Sequence, residues 1–234
     1  MSDEPPARQK APSERDLSAR QREQLRSVLE ALERDEHAPT AIRDPREAAG
    51  AHVADSLVAL QVDGLREARS IADLGAGAGF PGLALAVALP LARVSLVESQ
   101  RRKCEFLRRA SASAEIENAL VVCARAEEWG DGLGANEAVV ARALAAQPVV
   151  LEYAAPLLTL GGTLVDWRGR RSETHERASA AAAEMLGLQL LEILRVEPFE
   201  GATDRHLHVF EKSRETPARY PRRAGVARKR PLAG

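Results

Sequence analysis

The sequence predicts an α/β fold, a mostly parallel sheet with an antiparallel closing strand. Three observations predict it. From Ser70 onward, short apolar strands alternate with helical segments. The first of those strands runs directly into a cluster of glycines, Gly75 to Gly82. The last two apolar stretches, Leu188–Val196 and His206–Phe210, follow each other without a helix between them and read as a closing pair.

Each element has a local reason. Residues 1–16 are polar and proline-containing and are expected to be disordered. Ser18 with Gln21 reads as a capping box that starts a helix. Leu25, Val28, Leu29 and Leu32 then fall on one face of it. The Pro39 region ends that helix. Asp44-Pro45-Arg46-Glu47 starts a second, with proline at its first position and Ala49, Val53, Leu57 and Leu60 on its buried face. Residues 17–62 are therefore expected to form a helical extension, 63–212 the α/β domain and 213–234 a basic tail. Within the domain, strands are predicted at Ile71–Leu74, Val94–Val97, Leu120–Cys123, Ala138–Val140 and Thr163–Val165. Gly161-Gly162 turns the chain into the last of these. Helices are predicted at Leu83–Leu89, Lys103–Ser113, Pro148–Leu158 and Glu173–Leu186.

Composition narrows the function classes. The 234 residues are 45% hydrophobic and 29% charged, as expected of a globular chain with a core of its own. Two cysteines, Cys104 and Cys123, make neither a disulfide framework nor a zinc site, so no metal is expected and a reducing cytoplasm is the natural setting. No apolar run approaches the ~20 residues of a membrane span. The N-terminal stretch has no apolar core of a secretory signal. Net charge is −1, yet the stretch from Lys212 to Gly234 holds eight basic residues and only one acidic one, Glu215. An acidic body with a basic tail suits a nucleic-acid partner; a solvated tail without a partner is the plainer alternative.

The glycine cluster is the most informative stretch, with four glycines in the eight residues from Gly75 to Gly82. Glycines let the backbone turn sharply from strand to helix and let a ligand lie against main-chain N–H groups. Two readings compete. Gly77-x-Gly79-x-x-Gly82 matches the fingerprint of dinucleotide binding, as in a nicotinamide-dependent oxidoreductase. Asp73-x-Gly75-x-Gly77-x-Gly79 matches the loop of class I S-adenosylmethionine (AdoMet) methyltransferases, a Rossmann-like fold. Glu98 closes the second strand about 20 residues past Gly77, the spacing of a ribose-binding carboxylate, and serves both. Asp73 favours AdoMet: a carboxylate beside a pyrophosphate repels it, whereas an acidic rim suits an ammonium and a sulfonium.

The run Asp73–Gly82, then Val97-Glu98-Ser99, Lys103 and Phe106-Leu107, resembles the RsmG (GidB) family of 16S rRNA guanine-N7 methyltransferases. So do His52–Leu57, Arg125-Ala126-Glu127, Ala141-Arg142-Ala143, Arg205-His206-Leu207 and Thr216–Arg223. The match runs from about residue 40 to the C-terminus. The glycine loop alone is generic, whereas its combination with His52–Leu57 and the Thr-Pro…Tyr-Pro-Arg tail is specific. The resemblance implies an enzyme that uses AdoMet to methylate N7 of one guanine in the functional loop of small-subunit rRNA, acting on 16S rRNA or the small ribosomal subunit; a monomer is expected. It implies that Gly75 and Phe80 contact AdoMet, that Glu98 holds the ribose, that Ala126 and Glu127 flank the adenine and that Arg142 stands at the junction of cofactor and substrate. Asp73 and Gly77 complete the cofactor set. The chain departs from the family at Arg168-Gly169, where Lys-Gly is usual, and at Ala38-Pro39-Thr40, where Asn-Leu-Thr is frequent. Arginine keeps the charge but changes the hydrogen-bond geometry. An AdoMet methyltransferase with another acceptor is the remaining alternative within the class.

The chemistry makes few demands. Guanine N7 carries an in-plane lone pair and needs no deprotonation, so no strong general base is required. In-line placement supplies the rate. Arg142, at a strand end, is the candidate catalytic residue, orienting the cofactor carboxylate or the RNA; a salt bridge to a loop carboxylate is its plainer reading. His52, Arg168, Arg205, Arg219, Arg222 and Arg223 are the candidate RNA contacts. A capped core histidine is the plainer reading of His52. Trp167 either stacks on a base or covers the sheet edge. The tail is expected to order along a phosphate backbone, with AdoMet binding independent of it.

Overall fold

The computed structural model describes residues 13–35 and 49–232. Residues 1–12, the Asp44–Glu47 capping signal and the Ala38–Thr40 departure lie outside the described residues. The first helix, α1, spans Ala19–Arg34. Its capping box forms as the sequence predicts: Gln21 N–H donates to Ser18 Oγ (3.3 Å) and Ser18 N–H donates to Gln21 Oε1 (2.9 Å). Leu25, Val28 and Leu32 are buried. Just ahead of it, Glu14–Asp16 form a single 3₁₀ turn capped by Ser13, so this part of the expected disordered segment is ordered. Residues 49–66 are helical in short pieces: a widened π-type turn over Ala49–Ala54, then Asp55–Leu57, Val58–Gln61 and Asp63–Arg66. Val53, Leu57 and Leu60 are buried there.

Seven strands follow: β1 Ser70–Leu74, β2 Arg93–Glu98, β3 Ala119–Cys123, β4 Asn136–Arg142, β5 Leu158–Arg168, β6 Leu188–Val196 and β7 Arg205–Lys212. They form one sheet in the order β3-β2-β1-β4-β5-β7-β6. The first five are parallel, and β7 runs antiparallel between β5 and β6. The connecting helices are α2 Gly82–Ala88, α3 Arg101–Ser113, α4 Gln147–Ala154 and α5 Glu173–Leu186, with a short α6 at Val226–Lys229. The fifth strand is longer than the sequence predicts. It begins at Leu158 and carries Gly161-Gly162 within it, where its register against β4 slips between Asn136 and Ala138. The glycines mark an irregularity inside a strand rather than its start.

Side chains on the two sheet faces form two apolar clusters. One joins α1, the 53–68 segment and α2 with α3 against β1, β2 and the outer strands. The helical extension therefore shares its core with the domain. The second joins α4 and α5 with Leu74, Ala141, Leu164 and Phe210. Tyr220, Ala227 and Leu232 belong to it too. The basic tail is thus packed on the body, against the expectation that it orders only on RNA. Thr216 Oγ1 donates to Leu186 O (3.0 Å), and Arg222 donates to both carboxylate oxygens of Glu152 (2.8 and 2.5 Å).

Glu152 is 1% exposed. Removing one partner of a buried pair strands the other charge. Arg222→Ala should therefore lower the unfolding free energy by about 3 kcal/mol; a loss within the ~0.5 kcal/mol of an ordinary surface change in denaturant titration would contradict this role.

Candidate cofactor and acceptor site

The site is built where β1 and β4 end. After Leu74 the chain bends through Gly75 (φ +72°) and Gly77 (φ +53°), conformations that side chains with a Cβ avoid. The bend is anchored on the neighbouring strand. Gly75 N–H and Ala76 N–H both donate to Val97 O (2.8 and 3.1 Å). Gly77 N–H donates to Glu98 Oε2 (3.2 Å) and Gln100 N–H to Glu98 Oε1 (2.8 Å). Glu98 is thereby fixed by two main-chain donors. Each of its oxygens keeps a lone pair for a further donor, as a ribose diol requires. A Cβ at Gly77 would meet nothing nearer than Gly75 O at 3.5 Å, so that side of the bend is open to a ligand. This donor set and open bend fit AdoMet.

Asp73 plays a different part from the one its position suggests. Its side chain is buried, not an open acidic rim. Its Oδ2 accepts the Gly82 N–H at 2.8 Å, so it holds the start of α2 beneath the bend. Burial pushes its carboxyl up to about 7, against the pull of the Gly82 N–H and Arg142.

Opposite the bend, Arg142 closes β4. Its Nη1 donates to Asp55 Oδ2 at 2.8 Å, and its Nη2 lies 3.2 Å from His52 Nδ1. The His52 ring stacks on Phe80, with centroids 5.0 Å apart and planes 16° from parallel. Burial first and Arg142 second lower the His52 pKa to about 4, so the ring is neutral near pH 7. The elements responsible are distant in sequence. His52 and Asp55 come from the helical extension, Phe80 from the glycine bend and Arg142 from a central strand. Trp167 is buried on β5, where its indole N–H donates to Asp55 O (2.8 Å). Because β5 is an interior strand, Trp167 covers the face of the sheet and not its edge as the sequence suggests, and it positions Asp55 in doing so.

Sequence reasoning gives Asp55 no role. It is 1% exposed, its Oδ2 balances Arg142, and its Oδ1 has no hydrogen-bond partner. Its place three residues after His52, on the same helical face, is the one signal the sequence offers.

The other candidates divide. Ala126 and Glu127 lie half-buried on the turn after β3. Glu127 Oε1 accepts the Gly225 N–H at 2.9 Å, so this carboxylate fastens the tail. Arg228 donates to Leu144 O (3.2 Å), and a Cβ on Gly75 would lie 2.6 Å from Leu144 Cδ1. The tail therefore packs on the loop after β4, whose Leu144 lies against Gly75. Arg168 is bound to Asp166 Oδ2 (2.6 Å) and Ala145 O (2.9 Å). Arg205 opens β7 beside it, since Arg168 pairs with His206. Arg222 is engaged by Glu152 and is not free for RNA; the buried carboxylate claims it first. Arg219 and Arg223 are exposed, with Arg219 5.2 Å from the Tyr220 ring. Among the described residues no His, Cys, Asp or Glu cluster is placed to hold a metal ion, and no helix is long and apolar enough to cross a membrane.

A sheet in this strand order, with a glycine bend after β1 and a carboxylate closing β2, defines a class I methyltransferase that uses AdoMet. The family model described as rRNA small subunit methyltransferase G (GidB) matches residues 21–207, and the chain belongs to that family. "Ribosomal RNA small subunit methyltransferase G" of Rubrobacter xylanophilus is 42% identical over 198 residues, 82% of this chain and 76% of that protein. The protein of the same name from Pelotomaculum thermopropionicum is 42% identical over 197 residues, 82% of each chain. Among solved structures, Aeropyrum pernix fibrillarin with natively bound S-adenosyl-L-methionine matches with a TM-score of 0.50 at 16% identity, covering 61% of this chain and 66% of that one. It is similar in fold. Family membership sets aside the oxidoreductase reading of the glycines.

A carboxyl raised by folding binds more protons in the native than in the unfolded state across the interval between the two pKa values. For Asp73 that interval runs from 3.8 to about 7, and stability from this group falls as pH rises through it. Asp73→Asn keeps an acceptor for Gly82 and removes the titration. Denaturant unfolding should show the variant gaining on the wild type as pH rises from about 4 to about 7; a difference independent of pH would refute it.

Proposed function

We propose that the protein transfers the methyl group of AdoMet to N7 of a guanine in the functional loop of 16S (small-subunit) rRNA. The observation that carries the reading is the polar cluster of Arg142, Asp55 and His52 beside the glycine bend, in a chain of this family. Bound AdoMet supplies an electrophilic methyl group on a sulfonium.

The residues of the chain do the rest. Gly75 and Gly77 shape the bed for the cofactor, Glu98 takes the ribose hydroxyls, and Ala126 with Glu127 borders the adenine. Phe80, held against His52, closes the wall near the methionine end. Arg142 stands where the amino acid end of the cofactor meets the guanine and suits the O6 edge next to N7. Asp55 offsets the Arg142 charge, so that a second cation, the N7-methylated ring, can form close by. No group is needed to take a proton from N7, and a His52 neutral near pH 7 is consistent with a wall rather than a base. The target base leaves its stack to enter. Arg205, Arg219 and Arg223 meet the RNA around the cleft, and the chain acts as a monomer.

Mapping 7-methylguanosine in 16S rRNA from a deletion strain tests the reading. One methyl group should be lost and should return with the wild-type gene; an unchanged map would overturn it. With purified protein, Arg142→Ala should lower kcat/KM on rRNA by about 100-fold or more, and, because it strands the buried Asp55, should also lower the unfolding free energy by about 3 kcal/mol. The double variant Arg219→Ala, Arg223→Ala should reduce the salt dependence of RNA binding by a slope of about 1 for each phosphate no longer neutralised, leaving AdoMet affinity unchanged. An identical slope would remove the tail from the RNA interface.

A further inference from the structure

The C-terminal segment does more than carry charge. Tyr220, Ala227 and Leu232 are buried in the apolar cluster that Ala126 and Leu144 border. Short as it is, α6 is therefore seated on the body, with Arg228, Lys229 and Arg230 exposed. From this seat the segment reaches two separate loops. Gly225 N–H donates to Glu127 Oε1 (2.9 Å), on the turn after β3. Arg228 Nη2 donates to Leu144 O (3.2 Å), in the loop after β4.

The second loop has to be held. Leu144 lies directly on the first glycine of the bend, since a Cβ on Gly75 would come 2.6 Å from Leu144 Cδ1. Ala143, between Arg142 and Leu144, takes the left-handed backbone conformation (φ +54°), which residues with a Cβ rarely adopt. Such a conformation persists only where its surroundings over-determine it. Two arginines do so by donating to successive carbonyls, Arg228 to Leu144 O and Arg168 to Ala145 O (2.9 Å). Arg168 is fixed in turn by Asp166 within the sheet, whereas Arg228 comes from the tail.

The first loop poses a different problem. Glu127 is a half-buried side chain on a short 3₁₀ turn, and left alone its carboxylate would sample several rotamers. Ordering such a side chain when a ligand arrives costs affinity; ordering it beforehand does not. The Gly225 N–H fixes one carboxylate oxygen in advance. Gly225 presents that N–H from a left-handed conformation (φ +79°), and a Cβ on it would meet no atom within 4 Å, so glycine is present for its backbone and not for want of space. Tyr153 of α4 is buried beside both the Glu127 carboxylate and the Arg228 guanidinium, which links the two anchor points. Burial first and Glu127 second push its hydroxyl pKa up, so it stays protonated there.

We propose that the segment from Gly225 to Arg230 is a cofactor-positioning strap: Gly225 fixes the Glu127 carboxylate and Arg228 fixes Leu144 on the glycine bend, so that AdoMet meets a bed already set. The proposal rests on the reading above that places Glu127 at the adenine and Gly75 beneath the cofactor. Gly225 and Arg228 are positioning residues in this scheme. They act through Glu127 and Leu144 and touch no reacting atom.

Calorimetric titration of the full chain with AdoMet, in the absence of RNA, is the test. Arg228→Ala should weaken binding by about 5-fold or more, the lower end of couplings between separate sites. The thermal midpoint of the ligand-free protein should stay where it is, because the side chain is exposed. The sign of the change excludes a simple field effect: AdoMet carries a net positive charge, so loss of a nearby cation would by itself tighten it. Arg228→Lys can still donate to Leu144 O and should restore part of the affinity. Gly225→Ala changes no charge and is opposed only by the backbone conformation. It should raise KM for AdoMet and leave KM for rRNA unchanged. AdoMet affinity that is equal or tighter in both the Arg228→Ala and Gly225→Ala proteins overturns the strap alone, provided Glu127→Ala weakens binding. If Glu127→Ala also binds AdoMet like the wild type, the adenine placement itself is wrong and the strap falls with it.

Discussion

The hydrogen bond from Gly82 N–H to Asp73 is the constraint on which the site depends. It ties the end of β1 to the start of α2 and leaves the intervening bend a single course to follow. A Cβ on Gly82 would lie 2.6 Å from Asp73 Oδ2 and 2.3 Å from Leu96 Cδ2, so only glycine permits this approach. With both ends held, Gly75 and Ala76 reach Val97 and Gly77 reaches Glu98. The cost is a carboxylate kept out of water and driven towards its neutral form.

Asp55 is the second fixed point. The helical extension could have been a mere flank of the domain. Instead it delivers a buried carboxylate to the end of β4 and receives the indole N–H of β5 in return. Arg142 is therefore pre-positioned before substrate arrives, and its charge is offset in advance. Pre-organised groups of this kind lose little on reaching the transition state.

Much of this is legible in the chain. The capping box at Ser18 is local, and local chemistry decides it. The glycine bend and Glu98 are readable because strand periodicity and glycine spacing are short-range signals. Arg142 is recognisable as the end of a strand. What stays hidden is pairing across the fold. Arg222 and Glu152 are 70 residues apart, and Glu127 and Gly225 are 98 apart. No window along the sequence contains both partners, so the tail reads as a free basic segment. Asp73 misleads for another reason: its partner Gly82 lies within the same short motif, but the glycines there read as a ligand bed and mask the bond to the helix start.

The Asp55 anchor also bears on how the protein acquires its shape. It reaches Arg142 across 87 residues and Trp167 across 112. Contacts of such long span are slow to close and close late, because the intervening chain must be collapsed first. The cleft is consequently a property of the assembled whole and has no minimal fragment that could be excised. By mass action, whatever settles into it draws the entire polypeptide towards its native state.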